Sequence, residues 1–204
     1  MDINTTRLRC TLGWLATLLA WIVVILLWEF PPSISDTYFT YEAGPVFMII
    51  LGASSFLLMS YKGYDKQDDI VSTVAGIFGL MICLFPTSPT FNPSLQYIGT
   101  FQLPVNICAT IHMTSALIFF ALLAYNSMFL FTKTDGNMTV GKKRRNIVFR
   151  ICAIGMLASF LLMLLPDFYI KVWLVEMIAL VFFGVSWLTK ANYYPWLFAD
   201  KKRL

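Results

Sequence analysis

Two residues of this chain stand out as able to do chemistry in an apolar environment: His112, the only histidine, and Glu176. Each lies well inside a long apolar run, where ionisable side chains are costly to keep and commonly functional. If the runs are helices, a rise of about 1.5 Å per residue places His112 about 10 Å from Val105 and Glu176 about 7 Å from Lys171. At this similar depth the two side chains could meet and bind a metal, a proton or a polar group. Alternatively, they form a satisfied polar pair that only fixes helix register, or Glu176 reaches the membrane interface.

Other polar residues could converge on the same place. They are the acids Glu29, Asp36, Glu42 and Asp167, and Ser115, which follows His112 on the same helical face. One imidazole with carboxylates is a poor zinc set, because zinc usually takes three protein ligands at catalytic sites, although carboxylate oxygens suit calcium. No G-x-S-x-G sequence supports Ser115 as a nucleophile, so we expect it to pack between helices. No cofactor is predicted, and a metal ion held by His112 and Glu176 stays open.

A second cluster is basic: Lys142, Lys143, Arg144 and Arg145 directly precede the fifth apolar run. Such clusters attract anionic lipid headgroups by about 1 kcal/mol per residue near the membrane surface. We therefore expect these four residues to contact anionic lipid, and the same charges also determine topology. The net charge of +4 does not indicate nucleic acid, because the basic residues flank apolar runs.

Six apolar segments are long enough to position these residues across a membrane. The chain is 58% hydrophobic and 13% charged, with a mean hydropathy of +0.72, whereas a soluble domain carries about 25% charged residues. A span needs about 20 apolar residues, and in lipid such a run must be helical to satisfy its backbone. The predicted spans cover roughly 11–28, 43–61, 70–85, 105–131, 147–165 and 172–188. We predict an all-α protein: a single integral membrane domain over 1–204, built as a polytopic bundle of six transmembrane helices.

The distribution of basic residues predicts the orientation of this bundle. With six spans, every one of the 15 Lys and Arg residues except Lys171 falls on one side. The positive-inside rule makes that side cytoplasmic. We therefore expect a multi-pass protein of the cytoplasmic membrane with both its N-terminus and its C-terminus in the cytoplasm. The tryptophans near predicted span ends, where an aromatic belt would place them, are Trp14, Trp28, Trp173, Trp187 and Trp196.

Two longer connections lie on the opposite side, Glu29–Glu42 and Pro86–Pro104. The second carries no charge, so we expect it to lie against the bilayer surface or to cap the bundle. The cysteines, Cys10, Cys83, Cys108 and Cys152, have no metal-binding spacing. Free thiols are expected, and a Cys83–Cys108 disulfide is the alternative because both residues lie at comparable depth.

Several stretches resemble an uncharacterised group of bacterial multi-pass membrane proteins with about six helices. They are Ser33-Ile-Ser-Asp-Thr-Tyr-Phe-Thr40, Tyr61-Lys-Gly-Tyr-Asp65, Ala75-Gly76, Leu84-Phe-Pro-Thr87, Ile111-His-Met-Thr-Ser-Ala116 and Phe119-Phe120. This resemblance extends from the first connection to the fourth span and implies no particular activity. It implies an arginine–aspartate pair after Thr40, where this chain has Tyr41-Glu-Ala-Gly44.

More distantly, the chain is similar to the seven-helix superfamily of alkaline ceramidases and adiponectin or progestin receptors, in having polar residues inside a small helical bundle. Those proteins depend on several histidines around zinc, and this chain has only His112. The resemblance therefore implies a lipid-related function more than zinc chemistry.

Together these observations predict a non-catalytic membrane protein that binds a small molecule or lipid in an outward-facing intramembrane pocket around His112 and Glu176. Membrane lipids are the expected partners. The alternatives are a membrane-embedded, metal-assisted lipid hydrolase that uses the same residues, a proton-coupled carrier, and a purely structural subunit.

Overall fold

The computed structural model describes residues 3–134, 136, 138–163 and 172–195, and six α-helices account for most of them. The helices are α1 (Ile3–Leu27), α2 (Gly44–Ser60), α3 (Lys66–Leu84), α4 (Val105–Tyr125), α5 (Val140–Met163) and α6 (Val172–Lys190). A π-helical turn, Asn126–Leu130, extends α4, and a short 3-10 helix, Ser35–Phe39, follows α1. Two antiparallel two-residue strands, β1 (Tyr97–Ile98) and β2 (Leu103–Pro104), precede α4. The predicted all-α class is confirmed.

Five of these helices are long and apolar enough to cross a membrane: α1, α3, α4 with its π-helical turn, α5 and α6. The remaining helix, α2, is apolar but has 17 residues, which is near the lower limit for a span. The chain is thus a multi-pass helical membrane protein by the length and composition of its helices. The sixth crossing, the orientation of the termini and the cytoplasmic membrane stay predictions.

Local sequence explains where α3 begins and ends. Asp65 caps its N-terminus, since its carboxylate accepts hydrogen bonds from the backbone N–H groups of Gln67 and Asp68 at 3.0 and 3.2 Å. Pro86 follows its C-terminus, and a residue before proline is disfavoured in helical conformation. Because Asp65 caps the helix, α3 includes the polar residues from Lys66 to Asp69, whereas the apolar pattern alone places its start at Ile70.

The basic run was predicted to precede the fifth helix, and the structure corrects this. α5 begins at Val140 and carries the basic run on its first turns. The fifth span, predicted to begin at residue 147, stays a prediction. Thr139 caps this start, because the N–H of Lys142 bonds its hydroxyl at 3.2 Å and the N–H of Lys143 its carbonyl at 3.0 Å. Lysine and arginine are good helix formers, so the helix extends through them.

Outside the described residues lie Leu165, Asp167, Lys171, Trp196, Lys201, Lys202 and Arg203, on which other predictions rest.

The helices pack as a closed ring in chain order. Each helix contacts the next one along the chain, and α6 closes the ring on α1, whereas α4 and α6 touch only briefly across it. Gly13 and Gly184 lie where α1 meets α6, and a Cβ added to Gly184 would collide with Thr17 and the Gly13 carbonyl. Small residues allow membrane helices this close approach.

One end of the ring, called the basic end, is formed by Arg9, residues 61–65, residues 131–134 and Lys190. The core near this end is aromatic. Trp187 is fully buried there, with its ring centroid 4.9 Å from Tyr61 and 5.1 Å from Phe131. The prediction that Trp187 belongs to an aromatic belt is therefore wrong. Trp28, by contrast, is 91% exposed.

The opposite end, called the loop end, is closed by residues 28–43 and 85–104, which fold against each other. The Asp36 carboxylate accepts a hydrogen bond from the backbone N–H of Thr90 at 3.0 Å. Phe85 and Phe101 stack with their ring centroids 5.4 Å apart. The uncharged connection thus packs against the first connection, and its two predicted placements, on the bilayer surface or as a cap of the bundle, stay predictions. All four cysteines are free.

Candidate functional site

His112 lies buried on α4, with 3% of its surface exposed. Its Nδ1 lies 2.8 Å from the carbonyl oxygen of Phe85, the residue that ends α3. The last carbonyls of a helix have no partner within that helix, so the imidazole satisfies one of them. A carbonyl oxygen only accepts, so Nδ1 is the donor in this hydrogen bond.

Glu176 lies on α6 and binds the connection between α1 and α2. Its carboxylate accepts hydrogen bonds from the backbone N–H of Ile34 and from the Ser35 hydroxyl, the latter at 3.0 Å. One turn away, Trp173 stacks on Phe30 with a centroid distance of 4.4 Å. Glu176 is therefore one of several contacts that dock residues 28–43 onto α6.

Both side chains line one cavity of about 100 Å³ inside the ring, called the ring cavity. Residues from all six helices contribute to its lining. Its polar lining residues are Ser33, Ser35, Thr87, His112, Ser159 and Glu176. The remaining lining residues are apolar, and Phe119, Phe120 and Phe160 are among the largest. The structure thus brings His112 and Glu176 to one space, but anchors each to the backbone of a different connection.

The other predicted site residues lie elsewhere. Glu29 and Glu42 are exposed, and neither lines the ring cavity. Ser115 is buried on α4 outside the lining. Asp36 is buried, and that burial raises the pKa of its carboxyl group, an effect which the hydrogen bond from Thr90 partly offsets.

Within the described part of the chain, no three His, Cys, Asp or Glu side chains group closely enough to hold a metal ion. The ring cavity instead offers hydrogen-bonding groups beside an apolar wall. That combination suits a ligand with one polar group and an apolar remainder.

Four polar groups at this site were not predicted from the sequence: the side chains of Ser33, Ser35 and Thr87 and the carbonyl of Phe85. The stretches 33–40 and 84–87 carry the resemblance described above, and this was the only signal that pointed to them. Their contribution depends on how two connections fold back over the bundle, which neither hydropathy nor spacing encodes.

The basic run divides into two pairs on the first turns of α5. Lys143 and Arg144 are exposed, whereas Lys142 and Arg145 are half-buried. Lys142 donates a hydrogen bond from Nζ to the Phe131 carbonyl at 2.9 Å, and Lys142 and Arg145 line a second cavity. Contact of all four residues with anionic lipid stays a prediction.

No protein-family model, curated protein or solved structure matches this chain. The fold and the apolar helices define its class, which is a multi-pass helical membrane protein. The two family resemblances stay expectations from the sequence.

Proposed function

We propose that this membrane protein binds a small amphipathic molecule in the ring cavity. The apolar part of the ligand packs against Phe119, Phe120 and Phe160, and its polar group lies near His112 and Glu176. The observation that carries the proposal is a single cavity with an apolar wall and hydrogen-bonding groups from both connections at the loop end.

The size and chemistry of the cavity limit the ligand. Ligand pockets are lined mainly by apolar side chains, with a few polar groups that fix orientation. A volume of about 100 Å³ is smaller than an engineered apolar cavity of about 150 Å³ that accepts benzene. The ligand is therefore a small molecule, or a lipid of which only the polar end and the adjoining carbons enter.

The polar groups set the orientation of that ligand. Nδ1 donates to the Phe85 carbonyl, so in the neutral tautomer Nε2 can accept a hydrogen bond from a hydroxyl or amide group of the ligand. The hydroxyls of Ser33 and Thr87 add groups that both donate and accept. Because Glu176 already accepts two hydrogen bonds, its role is to hold residues 33–35 against the ligand.

A photoreactive fatty alcohol with a diazirine close to its hydroxyl group tests this proposal in phosphatidylcholine nanodiscs. We expect crosslinks to map to Phe119, Phe120 or Phe160 and to be competed by unlabelled alcohol. Ala116→Phe fills the cavity from α4 and should lower crosslinking to background. Ala121→Phe, at an exposed position of the same helix, should leave it unchanged. Equal crosslinking in wild type and both variants would reject the proposal.

The alternatives predicted from the sequence have separate readouts on the same sample. A metal-assisted lipid hydrolase requires a stoichiometric metal that is lost in His112→Ala. A proton-coupled carrier requires pH-dependent uptake into liposomes that Glu176→Gln abolishes.

A further inference from the structure

The basic end of the ring contains a cavity of about 550 Å³, called the basic cavity. This volume lies within the range of about 300–1,000 Å³ typical of ligand sites. The cationic residues in its lining are Arg9, Lys133, Lys142, Arg145 and Lys190, and no acidic residue is among the described residues that line it. Its exposed rim includes Thr134, Thr139 and Asn192.

Lys190 is the deepest of these cations, with only 9% of its surface exposed. Its Nζ has no hydrogen-bond partner in the described part of the chain. The ammonium lies 4.4 Å from the ring centroid of Tyr64 and 4.8 Å from that of Phe131. Aromatic faces attract a cation but supply no counter-charge, and a buried charge without a hydrogen-bonded partner is costly. The arrangement therefore favours an anion beside Lys190.

The ion pairs of the described residues at this end involve other lysines. Lys133 pairs with Asp65 and Asp68 at 2.8 Å each, and Lys62 pairs with Asp69 at 3.3 Å. These carboxylates are engaged with their own lysines and with the start of α3. None of the three pairs includes Lys190 or Arg145.

The position of α5 adds to this positive charge. Its N-terminal cap, Thr139, lines the basic cavity, and no acidic residue lies in its first turn. Helix N-termini carry partial positive charge that disfavours cations and attracts anions. Lys142 and Arg145 therefore add cations to a helix end that is already positive, and an anion bound there would offset this charge.

We propose that the basic cavity binds a phosphate-bearing anion, held by Lys190 at the floor and by Lys142 and Arg145 at the wall. The volume accommodates more than a single phosphate, so a diphosphate or a phosphorylated headgroup fits its chemistry. This site is separate from the ring cavity, and its test does not depend on the function proposed there.

Pyrophosphate and phosphatidylglycerol serve as probes, with the full chain in phosphatidylcholine nanodiscs. A soluble ligand class is indicated if calorimetry detects pyrophosphate binding that Lys190→Gln weakens at least about tenfold, or about 1.4 kcal/mol. A lipid headgroup is indicated if pyrophosphate does not bind, while native mass spectrometry finds phosphatidylglycerol retained by wild type and lost from Lys190→Gln. Either result supports the proposal.

Lys143→Gln is the matched control, because it removes one exposed positive charge from the same helix start. It should leave either affinity within about twofold, since exposed charges act weakly through solvent. If Lys190→Gln does not elute as a folded monodisperse protein, binding of the same probes is measured with Arg145→Gln instead. Lys190→Arg is the conservative variant that keeps the positive charge. The proposal is overturned if neither probe binds, or if Lys143→Gln weakens binding as much as Lys190→Gln or Arg145→Gln.

Discussion

The two cavities of this bundle treat their ionisable side chains in opposite ways. In the ring cavity, Glu176 accepts hydrogen bonds from Ile34 and Ser35, and His112 donates to the Phe85 carbonyl. In the basic cavity, Lys190 is buried, but its Nζ lies against aromatic faces and has no hydrogen-bond partner among the described residues.

This difference separates groups that hold the fold together from groups that await a ligand. A buried polar group that is fully bonded stabilises its neighbours, whereas an unpaired buried charge lowers stability until a partner arrives. Removing a side chain should therefore destabilise the protein at the loop end and stabilise it at the basic end. Three substitutions test this comparison, beginning with the largest expected effect.

Glu176→Ala should destabilise the protein by about 2–3 kcal/mol, because it leaves the Ile34 N–H without its acceptor and releases Ser35. Thermal unfolding of the detergent-solubilised protein measures the loss. Hydrogen exchange should rise specifically in residues 30–40. Glu42→Ala, at an exposed acid, should change neither quantity, and equal effects of the two variants would contradict the docking role of Glu176.

Lys190→Met should have the opposite sign and raise stability by about 1–2 kcal/mol in phosphate-free buffer. The reason is that an apolar side chain of similar length replaces an unpaired buried ammonium. Unfolding followed with and without pyrophosphate provides the measurement. A destabilised Lys190→Met protein would show that the ammonium has a structural partner, and the comparison between the two ends would fail.

Asp36→Asn should have the smallest effect and should change pH dependence more than stability at one pH. Burial raises the pKa of Asp36 from an ordinary value of 3.8, so the folded state binds this proton more tightly than the unfolded state. Protonated Asp36 therefore contributes to the free energy of unfolding below pH 3.8, and wild type loses this contribution as the pH rises from 3.8 through the raised pKa. Asparagine can still accept from Thr90 but does not titrate. Unfolding temperatures across this range should therefore diverge between the proteins, and parallel curves would contradict the assignment.

Hydropathy was sufficient to predict the helices, because apolar runs of span length have few alternatives in lipid. The ends of the helices were harder to predict. Asp65 and Thr139 cap α3 and α5 ahead of their apolar runs, so polar residues that a hydropathy pattern assigns to loops are helical. Helix α2 is difficult for another reason, because its 17 residues are close to the minimum length for a membrane span.

The candidate site was only partly accessible from the sequence. The rarity of charge in apolar runs singled out His112 and Glu176, and both line the ring cavity. Their partners could not be predicted, because backbone groups such as the Phe85 carbonyl are available in every sequence and are selected by tertiary folding. The predicted relation of Glu29 and Glu42 to the same pocket required both ends of the first connection to turn inward, and these two side chains are exposed instead.

The basic cavity was missed because its residues are far apart in the sequence. The run from Lys142 to Arg145 was visible, but Arg9 and Lys190 belong to the first and last helices. Only the closure of α6 on α1 brings them together. A lysine at the end of an apolar run was interpreted as a topology signal, and nothing in its sequence neighbourhood indicates that it is buried.

The ring order of the helices has a consequence for biosynthesis. As the chain emerges from the ribosome, α2 to α5 can each pack on the preceding helix as soon as it is inserted. α1 keeps one flank, containing Gly13 and Thr17, without its final neighbour until α6 arrives. That flank must be occupied by lipid or by an insertion factor while α2 to α5 are synthesised. Closure of α6 on α1 is thus the last contact of this ring to form, and the contact that is lost when translation stops before α6.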